Sequence, residues 1–171
     1  MKKITKTQAG GCTCGHVRYE MIGRPLIVHG CHCRWCQRQS GGAFAINALI
    51  EADRVRLTHG EVHEIIVASP SGAGQRIARC PHCQIAVWSN YLRVGGKMAD
   101  LIRFIRVGTL DDPDGHPPDV HIYTESKQPW FNLPLEVRAF DKFYSLQDTY
   151  SPDSLTRHNA LKNRLRDNTA V

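Results

Sequence analysis

The chain has 171 residues, 42% hydrophobic and 22% charged, which are the proportions of a globular domain and not of a disordered or fibrous chain. At this length about 70% of the unfolded surface can be buried, so the fold does not need metal merely for want of a core. No apolar run approaches the roughly 18 residues of a membrane span, and the basic start Met1, Lys2, Lys3 is followed by no apolar stretch, which argues against a signal peptide.

Residues 1–11 read as a flexible lead-in ending in Gly10 and Gly11. Over 16–21 apolar residues alternate, with Val17, Tyr19 and Met21 on one face, the pattern of a half-buried strand. Leu26, Ile27 and Val28 form a short apolar strand running into Cys31. After Cys36 the polar run 37–42 predicts one helical turn and a glycine-closed loop, and 43–50 a buried strand. Residues 55–58 and 62–68 predict two more strands around the His59, Gly60 turn, and 69–74 a surface loop. Residues 75–79 and 86–90 predict strands on either side of Cys80, Pro81, His82 and Cys83. Over 101–107 both faces carry apolar residues, so the strand has no fully solvated side. Residues 121–124 predict a short strand, and Trp130 with Phe131 an aromatic anchor. Ser151, Pro152 and Asp153 are a helix start signal, and a helix through about Arg164 would carry only Leu155, Leu161 and Leu165 on its apolar face. The fold class is mainly β with a C-terminal helix.

The chemistry lies in the cysteines. All seven fall in three clusters: Cys12 and Cys14; Cys31, Cys33 and Cys36; Cys80 and Cys83. An odd number in clusters, in a chain expected in the reducing cytoplasm, points to metal before disulfides. Thiolates are preferred zinc ligands, and a closed structural site takes four. Seven divides as four and three. The two outer pairs can close one site across a long stretch of chain, with Gly15 supplying the turn that lets Cys12 and Cys14 converge. The central triad falls one ligand short, and either His29 or His32 can complete it. If neither does, one coordination position is open, as in a catalytic zinc site. Three thiolates give such a centre a net negative charge, which suits an incoming thiol better than water activation.

The formal charge of +6 treats the cysteines as neutral. Seven thiolates and two zinc dications change it by −7 and +4, to +3. With lysines and arginines scattered, apart from the N-terminal lysines and the tail around Lys162, Arg164 and Arg166, the surface reads as solvated, and neither nucleic acid nor membrane is the expected partner.

The motifs Gly11-Cys12-Thr13-Cys14-Gly15, Cys31-His32-Cys33-Arg34-Trp35-Cys36 with Ser40 and Gly41, and Cys80-Pro81-His82-Cys83 match a known family in order and spacing. So do Val107 to Asp112 and His121 to Trp130. The sequence resembles the glutathione-dependent formaldehyde-activating enzyme (Gfa) and centromere protein V family from about residue 8 to 144. The resemblance implies an Mss4-like β-tent zinc-binding fold with two zinc ions. It assigns Cys12, Cys14, Cys80 and Cys83 to a structural zinc, and Cys31, Cys33 and Cys36 to a second, catalytic zinc. It implies a carbon–sulfur lyase-type reaction joining glutathione, or a similar thiol, to formaldehyde or another small electrophile. One departure is Gln84, where the family commonly has glycine after the last cysteine pair.

On this reading residues 1–7 are a flexible N-terminus, 8–145 the zinc-binding domain and 146–171 a partly helical extension. The partner is a small-molecule thiol, homo-oligomerisation is left open, and the sequence singles out no general acid or base. Arg38 is a candidate for a glutathione carboxylate, with an ordinary surface arginine the favoured reading, and the backbone of Ser40, Gly41 and Gly42 is a candidate for close ligand approach, with a plain turn the favoured reading. The competing reading is a non-catalytic, zinc-stabilised module that binds a protein or nucleic acid.

Overall fold

The computed structural model describes residues 7–92 and 98–167. In chain order the strands are β1 (Thr7–Gly11), β2 (Arg18–Ile22), β3 (Ile27–Cys31), β4 (Ala45–Glu51), β5 (Val55–His59), β6 (His63–Val67), β7 (Gln75–Arg79), β8 (Ala86–Tyr91), β9 (Ile102–Arg106), β10 (Val120–Ile122) and β11 (Arg138–Phe140). The helices are α1 (Arg34–Ser40), α2 (Met98–Leu101), α3 (Leu146–Thr149) and α4 (Pro152–Asp167). The mainly β class and the C-terminal helix are as expected. None of the described helices is long and apolar enough to cross a membrane.

Two sheets carry the fold. β1, β2 and β5 form a three-stranded antiparallel sheet, and the other eight strands run in the order β11-β10-β3-β4-β9-β8-β7-β6. Pairing in the larger sheet is antiparallel except at β10, which lies parallel to both β3 and β11.

Alternation along the central strands explains why both faces of the large sheet are buried. Ala48 and Ile50 of β4, with Ile105 of β9, join a core shared with Tyr19 and Met21 of the small sheet. Leu49 of β4 and Ile102 of β9 enter a second core with Tyr144, Tyr150 and Leu161. The first core holds the sheets together. The second glues the C-terminal segment onto the other face.

The structure corrects the lead-in: residues 7–11 form β1, paired along its whole length with β2. A glycine-ended edge strand shows no alternation, so sequence pattern missed it. Gly10 is needed there for space, since a Cβ would lie 2.6 Å from the Tyr19 ring. The flexible N-terminus expected over 1–7 falls, apart from Thr7, outside the described residues. The polar run after Cys36 also changes: α1 begins at Arg34, so Cys36 sits within a helix and not before one. β11 and α3 had no clear signal in sequence.

Candidate functional site

Two knuckle turns bring the outer cysteine pairs together. The first joins β1 to β2: the Cys12 N–H donates to Val17 O, the Gly15 N–H donates to Cys12 O, and Gly15 takes φ +79°. The second joins β7 to β8: the Cys80 N–H donates to Ile85 O, the Gln84 N–H donates to Cys80 O, and Gln84 takes φ +62°. Gln84 therefore occupies the left-handed position that glycine fills without strain. The rings of His16 and His82 stack across the knuckles at 3.9 Å.

The sulfurs of Cys12, Cys14, Cys80 and Cys83 all lie within 4.8 Å of one another. Cys12 to Cys14 is 3.5 Å and Cys14 to Cys80 is 3.7 Å. A tetrahedron with zinc–sulfur bonds near 2.3 Å has edges of about 3.8 Å. The separations thus suit one ion among four sulfurs and are far too long for disulfides. The Val17 N–H points at the Cys12 sulfur at 3.2 Å, as suits a thiolate. The N–H of Ile85, with help from that of Cys14, lowers the Cys83 thiol to about 6.

The second cluster forms where β3 runs into α1. The sulfurs of Cys31, Cys33 and Cys36 again lie within 4.8 Å of one another, with Cys31 to Cys33 at 3.7 Å. The same tetrahedral edge fits. Cys33 caps α1, its sulfur accepting the Cys36 N–H at 3.3 Å. Contact with Cys31 and Cys36 lowers Cys33 to about 2, whereas contact with Cys33 and then Cys36 pushes Cys31 up. Three thiolates this close repel one another, and a dication among them removes the conflict.

Neither candidate histidine joins this group. His32 alternates away from Cys31 and Cys33. Its Nε2 pairs with His121 Nδ1 at 2.9 Å, and its ring packs on Phe44. Burial holds His32 down to about 4 and His29 to about 3. The His29 Nε2 shares a 2.6 Å hydrogen bond with the Tyr144 hydroxyl, whose own pKa burial raises.

The fourth side of the triad faces a cavity of about 750 Å³, lined by Cys31, Cys33 and Cys36. Arg106 at the end of β9 also lines it, bonded to Asn47 Oδ1. Trp35 guards the rim, its indole N–H donating to Ala68 O at 2.9 Å. Sequence reading missed Arg106; its signal was a charge at the end of a strand with two apolar faces. Arg38 is exposed and is absent from the cavity lining, so it is a surface arginine. Gly41 caps the C-terminus of α1 with φ +69°, its N–H donating to Gln37 O, and this segment too is no part of the lining.

The family model for glutathione-dependent formaldehyde-activating enzymes matches residues 7–126. The chain belongs to that family. Both cysteine clusters fall inside the matched region, as do all the sheet strands except β11. A crystal structure of a Rhodobacter sphaeroides protein is similar at 16% identity with a TM-score of 0.45, over 77% of this chain and 98% of its own. A likeness of that degree says nothing about function. Among curated proteins none matches this chain.

Proposed function

We propose that this member of the family is a carbon–sulfur lyase-type enzyme that joins a thiol to a carbonyl carbon, and separates them again, in the cavity beside Cys31, Cys33 and Cys36. The observation that carries the reading is the three-sulfur cluster whose remaining side faces the cavity, where the other cluster has four sulfurs and is complete. On this reading Cys12, Cys14, Cys80 and Cys83 hold a structural zinc, and Cys31, Cys33 and Cys36 hold a second one. The second zinc, when bound, supplies positive charge that keeps a substrate thiol as thiolate near neutral pH. Glutathione is the thiol that the family's description names.

The sulfur lone pair forms a bond to the carbonyl carbon, the π pair moves to oxygen, and oxygen takes a proton from solvent. The reverse step returns thiol and carbonyl compound. The protein's own part is positional. Cys33, at the N-cap of α1, sets the triad against the cavity floor, and Arg106 faces a developing oxyanion or a substrate carboxylate with a charge that burial does not remove. Trp35 and the sheet residues restrict water.

The test is exchange NMR on a mixture of glutathione and formaldehyde with catalytic amounts of protein. Exchange faster than the spontaneous rate, lost in Cys33→Ala with the fold retained, is expected. A Cys33→Ala protein that exchanges as fast as wild type would refute the proposal.

A further inference from the structure

The cavity over the triad is much larger and greasier than formaldehyde needs, and part of it comes from chain that the family match does not reach. From the sheet, Leu49, Ile102, Phe104 and Ile122 line it. From beyond residue 126, the end of the match, Phe143, Leu146, Tyr150 and His158 form its wall. Among the described lining residues Arg106 is the only lysine or arginine and Glu125 the only acid. Glutathione bears two carboxylates and an ammonium group, for which the lining offers one cation and one carboxylate beside uncharged polar groups such as Asn47, Ser69, Ser71 and Gln75. A small thiol joined to a one-carbon electrophile would leave much of about 750 Å³ unfilled, and sites of roughly 300–1,000 Å³ enclose drug-sized ligands.

We infer that the cavity binds the carbon side of the adduct as an apolar, aromatic group, so that the electrophile is an aromatic or branched aldehyde and not formaldehyde. This rests on the thiol–carbonyl reading above and names its substrate class. The step is unchanged in balance: thiol sulfur bonds to the aldehyde carbon, the carbonyl oxygen becomes a hydroxyl with a solvent proton, and the product is a hemithioacetal. Phe104 stands edge-on to Tyr91, which also lines the cavity, with ring centroids 6.4 Å apart. Tyr91, Phe104, Phe143 and Tyr150 thus offer ring faces and edges to a flat guest. The C-terminal segment is then the element that sets specificity, because it supplies the far wall.

The experiment compares benzaldehyde with formaldehyde, each with 2-mercaptoethanol, by exchange NMR on the zinc-loaded full chain, and measures benzyl alcohol binding by saturation-transfer NMR. Benzaldehyde is expected to exceed formaldehyde in kcat/KM by at least ten-fold. The ratio should fall at least ten-fold in Leu146→Asp and several-fold in Phe143→Ala, whose exposed ring (51% accessible) makes it safe for folding. Benzyl alcohol should bind wild type and lose at least ten-fold in affinity in Leu146→Asp. A formaldehyde preference that neither variant moves overturns the inference while leaving the lyase reading intact. Were no aldehyde exchanged by wild type, the lyase reading fails, and benzyl alcohol then decides alone: binding weakened by Leu146→Asp upholds an apolar site, and no binding removes it.

Discussion

Arg157 on α4 grips both carboxylate oxygens of Glu51 at the end of β4, at 2.8 and 2.6 Å. Glu51 is only 4% exposed, and Arg157 also donates to Arg24 O at 2.9 Å. The hydrogen bonds to Glu51 raise the Arg157 pKa. This clamp fixes the helix that carries His158 into the cavity wall. Removing Arg157 leaves buried Glu51 with Arg54 alone, whose Nε stands 3.3 Å from it, so the loss is about 3 kcal/mol, the low end of the range for a broken buried pair. Arg157→Ala should therefore lower unfolding free energy by that amount in urea titration, while the Glu51→Leu, Arg157→Met pair should lose far less. Equal losses in the single and double variants would contradict the clamp.

The two cysteine clusters should differ in what their loss does. A structural zinc contributes about 10–16 kcal/mol at neutral pH, and whole domains are stable by about 5–15 kcal/mol. Cys80→Ser should accordingly leave the small sheet and the β7–β8 hairpin unfolded, whereas Cys33→Ala should keep the circular dichroism spectrum and cut zinc content from about two per chain to about one. Metal analysis beside thermal melting checks both.

Gln84 holds φ +62° after the last cysteine, with its Nε2 donating to Pro81 O at 2.9 Å. A left-handed residue with a side chain costs about 1–2 kcal/mol, and glycine adds back about 0.5–1 kcal/mol of chain entropy. Gln84→Gly should gain about 0.5 kcal/mol, and Gln84→Val should lose at least about 1 kcal/mol, since a β-branched side chain resists this conformation. Denaturant midpoints of the zinc-loaded proteins would show a wrong sign at once.

His158 is buried on α4, edge-on to Tyr150 at 5.8 Å. Burial, and then the charge of Lys162, lower its pKa. The unfolded chain protonates it first as pH falls, so its share of stability is complete above about pH 6.5 and is lost below that. His158→Gln should flatten the fall in stability between pH 7 and 5 relative to wild type. Parallel slopes for the two proteins would assign the acid sensitivity elsewhere, including to His29 and His32, whose pKa values burial also lowers.

Much of the fold was legible because it is written locally. The strand expected over 75–79 coincides with β7, and the strand expected over 101–107 does bury both faces. The four-plus-three grouping of cysteines was also visible, since ligand spacing within each cluster is a property of a few consecutive residues. Gln84, the one departure from the resembled family's pattern, does hold the left-handed conformation that glycine takes without strain. β1 was not, because a short edge strand ending in two glycines shows no periodicity and takes its conformation from β2.

The sequence alone determined the donor chemistry and how the sulfurs are shared out: soft ligands at short, fixed spacing converge wherever the turns allow. Only the tertiary structure decided what surrounds the triad. Burial of Leu49 and Ile102 against Tyr150 and Leu161 lays the C-terminal segment over the large sheet, and hydrophobic burial is not directional, so no local pattern announces which distant residues will meet. That packing, together with the side to which His32 turns, leaves the three sulfurs of Cys31, Cys33 and Cys36 facing a largely apolar cavity, with no fourth metal-ligating side chain grouped with them among the described residues.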